Sequence, residues 1–275
     1  MSEARTVMLA VAPNGARKTQ QDHPRLPITP AELARCAADC IAAGASMLHL
    51  HVRDAAGRHS LDPADYRPAI DAIRERVGDK LLLQLTTESG GRYGPREQMA
   101  SADALAPEAV SIAIRELFAD DALHAEVAAF LSRLAARGTL VQYIVYSAAE
   151  VVRCVRLQAE GAVPQHAPQL LFVLGSYAQA RAGQPADLLP MLAALPAGWP
   201  WSVCAFGADE QRCAVAAALL GGHVRVGFEN NLWLPSGAVA ADNAALIGVT
   251  RDALHGLGMR QSTFAETRRL LRGGA

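Results

Sequence analysis

Short apolar runs alternate with amphipathic, Ala-rich stretches along the whole 275-residue chain, and this alternation constrains the fold more than any other feature. The apolar runs are read as strands at 6–14, 47–54, 80–87, 109–114, 140–146, 169–174, 200–206 and 223–229. Helices are expected at 30–43, 62–77, 96–104, 120–137, 148–160, 185–195, 209–220 and 243–258, with a basic amphipathic tail at 264–272. Their punctuation is regular. Thr29-Pro30-Ala31-Glu32 has the form of a capping box with Pro at the first helical position, and Gly44 closes the same helix. Strands that alternate with helices imply a parallel sheet, and eight such units imply a closed (β/α)8 TIM barrel, an α/β fold that typically takes about 250 residues. An open doubly wound sheet is the alternative, but no G-x-G-x-x-G follows the first strand. No linker or composition break interrupts the chain, so residues 1–275 are expected to form a single domain.

Within the second strand, His49-Leu50-His51 carries the first sign of chemistry. A strand has a period of two, so Leu48, Leu50 and Val52 point one way and His49, His51 and Arg53 the other. Two imidazoles one pleat apart suit chelation of zinc or a similar ion. Alone, the motif is better read as two packed, hydrogen-bonded histidines on a strand.

The rest of the composition narrows the classes of function. The formal net charge is −1, with no basic patch, so neither nucleic acid nor a membrane surface is an expected partner. No apolar run is long enough to span a bilayer, and the charged start runs directly into a strand, which places the protein in the cytoplasm. The five cysteines contain no C-x-x-C and are expected to be reduced, packed thiols.

Barrel active sites lie at the C-terminal ends of the strands. Those ends carry Asn14; His49, His51 and Arg53; Gln84, Thr86 and Thr87; and Arg225, Glu229 and Asn230. In the eighth strand His223, Arg225, Gly227 and Glu229 share one face, and Val224, Val226 and Phe228 share the other. The apolar set suits the helix layer, so the polar set faces inward. Closure places strand eight beside strand one and strand one beside strand two, which brings Glu229 toward His49 and His51. Two histidines and a carboxylate leave a coordination position open, as in catalytic rather than structural zinc. An internal Arg225–Glu229 ion pair without any metal is the competing reading. His223, at the start of its strand, is expected to be structural.

Several stretches closely resemble the β-keto acid cleavage enzymes. They are Ala12-Pro-Asn-Gly-Ala16, Leu26-Pro-Ile-Thr-Pro-Ala-Glu32, His49-Leu-His-Val-Arg-Asp54, Gln84-Leu-Thr-Thr87 and Gly221-Gly-His-Val-Arg-Val-Gly227. The resemblance implies a zinc-dependent TIM barrel that takes a β-keto acid and acetyl-CoA and yields acetoacetate and a new acyl-CoA. It assigns Zn2+ to His49, His51 and Glu229, and catalytic roles to Arg225, to the residue at Asn230 and to Thr86 or Thr87. It also implies a homo-oligomer, a tetramer. Asn14, Thr87, Arg115 and Tyr146 are expected to bind substrate, Arg115 and Tyr146 as specificity residues.

Three departures from the family pattern bear on the chemistry. Glu229-Asn230-Asn231 replaces the usual Glu-Asp-Asn, and a neutral amide cannot act as a carboxylate base. Ser111-Ile-Ala-Ile-Arg-Glu-Leu-Phe118 replaces the family's Gly-Ser-rich loop after strand four. Gln142-Tyr-Ile-Val-Tyr146 replaces an acidic motif near strand five, which makes an aminohexanoate an unsuitable substrate. These departures sustain two alternatives: a CoA-independent, metal-dependent carbon–carbon lyase or hydrolase, and a metal-binding barrel whose catalytic base has decayed.

Overall fold

The computed structural model describes residues 4–176 and 181–272. Eight parallel strands close into a barrel: β1 (Leu9–Val11), β2 (Met47–Leu50), β3 (Leu82–Thr86), β4 (Ala109–Ala113), β5 (Leu140–Val145), β6 (Gln169–Leu174), β7 (Trp201–Ala205) and β8 (His223–Val226). The ring closes through β8, which pairs with β1 at Arg225 opposite Ala10. β1 in turn pairs with β2 at Val11 opposite Leu48.

The outer layer is helical: α1 (Pro30–Ala43), α2 (Pro63–Val77), α3 (Pro95–Leu105), the single turn α4 (Ile114–Leu117), α5 (His124–Ala136), α6 (Ala148–Ala159), α7 (Leu188–Ala194), α8 (Glu210–Leu219), α9 (Asn243–Gly256) and α10 (Phe264–Leu271). The Thr29–Glu32 capping box is formed at α1, and Gly44 ends that helix in the left-handed conformation. Leu48 and Leu50 of β2, Leu83 and Leu85 of β3 and their equivalents pack outward against the helices in one continuous apolar core. All five cysteines are free thiols. Among the described residues no helix is long and apolar enough to cross a membrane.

The barrel has a closed end and an open end. At the N-terminal end Met8, Ala10, Met47, Leu82, Ala109 and Leu140 form an apolar layer, which Leu271 of α10 plugs. The basic tail therefore caps the barrel bottom through its apolar face. His223 lies near this end and accepts the Met8 N–H at Nδ1 (3.1 Å). That bond takes Met8 out of the strand ladder. The expected first strand is thereby split into Thr6–Val7, which pairs with Arg260–Gln261, and β1.

Two other strands are shorter than their alternation suggests. β2 stops at Leu50, and the His51 carbonyl accepts from Asn14 Nδ2 (3.1 Å). Val52–Arg53 then leaves the barrel and pairs antiparallel with His59–Ser60. β8 stops at Val226 because the next backbone donors are claimed by side chains. Gly227 N–H goes to Glu210 Oε1 (3.0 Å) and Phe228 N–H to Asn243 Oδ1 (2.9 Å). Glu229 thus projects from a turn, and its own N–H returns to Ala12 O (3.0 Å). Gly227 sits at φ 143°, and a Cβ there would stand 2.4 Å from Ala12 O, so the turn requires glycine.

Candidate active site

At the open end the ring nitrogens of His49 and His51 converge on one carboxylate. Their Nε2 atoms are 3.0 Å apart. Glu229 Oε2 lies 3.3 Å from His51 Nε2 and 3.7 Å from His49 Nε2. The β8–β1–β2 seam makes this meeting possible, and Gly15, in the loop after β1, leaves room for it. A Cβ at Gly15 would stand 2.6 Å from Glu229 Cγ.

These three residues could hold a metal ion, with one ligand atom from each within 4.8 Å of the others. The donor set of two nitrogens and one oxygen suits zinc and leaves a position open. Two further observations fit. Glu229 Oε2 is buried without a hydrogen-bond partner. Burial also lowers His49 to about 4 and His51 to about 3, so both imidazoles are neutral, which is the ligating form. Burial alone would raise the Glu229 carboxyl, but Arg225 above all, with the two histidines, holds it well below the usual range.

The barrel interior fixes which nitrogen of His49 is free. Its Nδ1–H donates to Gln84 Oε1 (2.8 Å), leaving the Nε2 lone pair toward Glu229. Gln84 Nε2 donates to Gln142 Oε1 (3.2 Å), and Gln142 Nε2 to Ser202 Oγ (3.4 Å). Gln169 Nε2 also donates to Ser202 Oγ (2.8 Å). This chain of amides beneath the site orients the ligand, as outer partners of metal-binding histidines do. Gln84→Leu should therefore weaken metal binding about 10–100-fold in a competition titration against a chelator. An unchanged affinity would remove Gln84 from this role.

Arg225 is buried beside the carboxylate. It donates to Glu229 Oε1 (2.8 Å), Asn230 Oδ1 (3.3 Å) and Cys204 Sγ (3.1 Å). The Arg225–Glu229 ion pair is thus formed through one carboxylate oxygen while the other faces the histidines, so the pair leaves that oxygen available to a metal. Asn230 Nδ2 is left without a partner. Asn14 spends Nδ2 on Pro27 O and His51 O, and its buried Oδ1 is unpartnered.

A cavity of about 360 Å³ opens above these groups, lined in part by Asn14, Thr86, Arg115, Tyr146, Arg225 and Glu229. Thr86 Oγ1 accepts the Glu88 N–H (3.0 Å), which leaves its own proton free to donate. Thr87 is placed differently: its hydroxyl donates to Ser111 O (2.9 Å), and it is not among the lining residues. Arg115 lies in α4, just past β4, and its guanidinium carbon stacks 3.4 Å from the centroid of the Tyr146 ring.

Among the lining residues that the sequence reading did not single out, Glu88 and Lys18 reach the metal-ligand cluster. Glu88, just beyond the third strand, brings Oε2 to 3.9 Å from His51 Nε2. Burial, with the nearby Glu229, pushes its carboxyl up to about 7. Lys18, from the loop after β1, donates Nζ to Glu229 O (2.7 Å). Both come from loops, where no periodicity marks which side chains turn inward.

The solved structure of a binary complex of ObcA with oxaloacetate superposes on 90% of this chain and 67% of its own, with a TM-score of 0.72 at 21% identity, a likeness of fold. A 3,5-dioxohexanoate:acetyl-CoA acetone transferase from Paraburkholderia graminis is 26% identical, over 98% of this chain and 97% of that protein. A 3-keto-5-aminohexanoate cleavage enzyme from Fusobacterium nucleatum is 31% identical, over 96% of this chain and 97% of the relative. The beta-keto acid cleavage enzyme pattern matches residues 6–272, and with the histidines, the glutamate and the barrel that joins them in place, the chain belongs to the β-keto acid cleavage enzyme family.

Proposed function

We propose that this protein is a zinc-dependent β-keto acid:acetyl-CoA acyltransferase, releasing acetoacetate and forming a new acyl-CoA. The observation that carries the reading is the convergence of His49, His51 and Glu229 beside the buried Arg225 at the floor of one cavity. Family membership and relatives named for acetyl-CoA transfer to keto acids support the co-substrate.

His49, His51 and Glu229 would hold the zinc, which, when bound, supplies Lewis-acid polarisation of the keto oxygen and so acidifies the C2 proton. Glu88 is the carboxylate in the cavity placed to accept that proton, since Asn230 has no basic oxygen. The C2 carbon then bonds to the acetyl carbon as the acetyl C–S bond breaks. The released thiolate adds to the original keto carbon, the C2–C3 bond breaks, and the proton returns to the C2 of acetoacetate. Arg225 faces the charge that develops on oxygen and sulfur during these steps, and the Thr86 hydroxyl is free to donate to it. Asn230 positions Arg225 through Oδ1. Asn14 offers its unpartnered Oδ1 to a substrate hydrogen-bond donor.

Elemental analysis of the purified protein should find stoichiometric zinc, and a β-keto acid panel should release acetoacetate only with acetyl-CoA present. Turnover without acetyl-CoA would favour a CoA-independent lyase. A full zinc complement with no turnover would favour a decayed barrel. For the proton acceptor, Glu88→Gln should lower kcat about a hundredfold while zinc content stays unchanged. A kcat within a few fold of the parent would remove Glu88 from this step.

A further inference from the structure

Across the cavity from the metal ligands the lining is first apolar and then cationic. Ala113, Ile144 and Val173, from β4, β5 and β6, line the middle of the cavity and belong to one packed cluster that Tyr146 joins. Arg115 stands at the edge beyond them, stacked on Tyr146. In the closed ring β4 and β5 lie opposite the β8–β1–β2 seam that carries His49, Arg225 and Glu229. A bound molecule reaching from one end to the other crosses an apolar floor.

Arg115 has no ion pair or hydrogen bond with any described residue, and its recorded contact is the Tyr146 ring. Glu116, its neighbour in the chain, and Glu150, which also lines the cavity, are engaged elsewhere. Glu116 accepts from Ser89 N (3.0 Å) and Gln98 Nε2 (2.7 Å), and Glu150 from Tyr146 N (3.0 Å). Other basic groups of the cavity already have acceptors: Arg181 is paired with Asp187, Arg225 with Glu229, and Lys18 is bonded to Glu229 O. Stacking holds one face of the Arg115 guanidinium against the phenol and leaves its planar N–H edge for an anion of matching geometry, which a carboxylate supplies.

We propose that the substrate is a β-keto diacid: a β-keto acid whose acyl chain ends, after a short run of methylenes, in a second carboxylate bound by Arg115. The methylenes cover Ala113, Ile144 and Val173, and the keto acid end lies toward His49, His51 and Arg225. This rests on the reading that the cavity binds a β-keto acid at its metal end. A CoA phosphate is the competing anion, and the KM for acetyl-CoA distinguishes it from a substrate carboxylate.

The test compares short-chain β-keto diacids with their far-end monomethyl esters, which keep the chain and remove the charge. Two readouts are taken: kcat/KM with acetyl-CoA, and calorimetric binding to the zinc-loaded enzyme without acetyl-CoA. The parent protein should favour a diacid over its ester by about tenfold or more in both. Arg115→Met should bring that ratio to about one, and Arg115→Glu should shift preference toward a β-keto acid ending in an ammonium group. Circular dichroism confirms that both variants are folded. A parent ratio near one in binding overturns the proposal, as does an Arg115→Met variant that keeps the ratio and raises only the KM for acetyl-CoA. A binding preference for the diacid without any acetoacetate release would uphold this proposal and overturn the acyltransferase reading.

Discussion

Replacing His49 by Ala should empty the metal site and lower turnover at least about a thousandfold, roughly 4 kcal/mol of transition-state stabilisation. The reason is geometric. Among the described residues three side chains form the candidate site, and the loss of one leaves His51 and Glu229, a pair too few for a stable zinc site. The amide chain also loses its purpose, since Gln84 Oε1 would have no ring N–H to accept. The fold should survive, because His49 points into the barrel while Leu48 and Leu50 on the same strand hold the outer core. Metal content by elemental analysis and secondary structure by circular dichroism separate the two effects. A His49→Ala protein that retains its zinc would show that the metal, if held at all, is held elsewhere.

Arg225→Met should cost both stability and activity. The Arg225 side chain is 4% exposed, and it pairs with Glu229 Oε1. Removing it leaves a buried carboxylate facing a hydrophobic side chain. Breaking a buried pair from one side typically costs about 3–5 kcal/mol. In metal-free protein the urea midpoint should fall accordingly. Added zinc should recover part of the loss, because Glu229 regains a cationic neighbour. Turnover should stay low even with zinc restored, since nothing else at the cavity floor replaces a fixed charge beside the reacting oxygen and sulfur. A stability equal to the parent's would mean that Glu229 draws its low pKa from another source.

The barrel was legible because each strand announces itself. Leu83 and Leu85, or Val224 and Val226, supply an outward apolar face, and the helices between begin and end with recognisable caps. The convergence of the candidate metal ligands was legible for a related reason. His49 stands on a strand whose period sets its direction, and His51 follows just past its end. Glu229 was reached by extending that same period through Gly227, which the structure does not do. Its side chain still arrives inside because the turn is held by Glu210, Asn243 and Ala12. Lys18 and Glu88 were beyond such reasoning. Their directions are set by contacts with groups that lie far along the chain, Lys18 by Glu229 O and Glu88 by the ring of His51. Likewise, Gln84, Gln142, Gln169 and Ser202 each look ordinary in the sequence and become one hydrogen-bonded array only when four strands close around them.

The seam between β8, β1 and β2 has a thermodynamic consequence. A closed sheet must join its last strand to its first, here Val224 of β8 to Leu9 of β1, and a loop closure across so much of the chain carries a large entropic cost. The metal ligands straddle that junction, with His49 and His51 on one side and Glu229 on the other. An open ring cannot gather them, so the ion binds the closed form in preference to any opened one. Each hundredfold excess over its dissociation constant then adds about 2.7 kcal/mol to closure. With zinc bound as proposed, the ion would in this sense act as a clasp that ties the ring's resistance to opening at this seam to its readiness for catalysis.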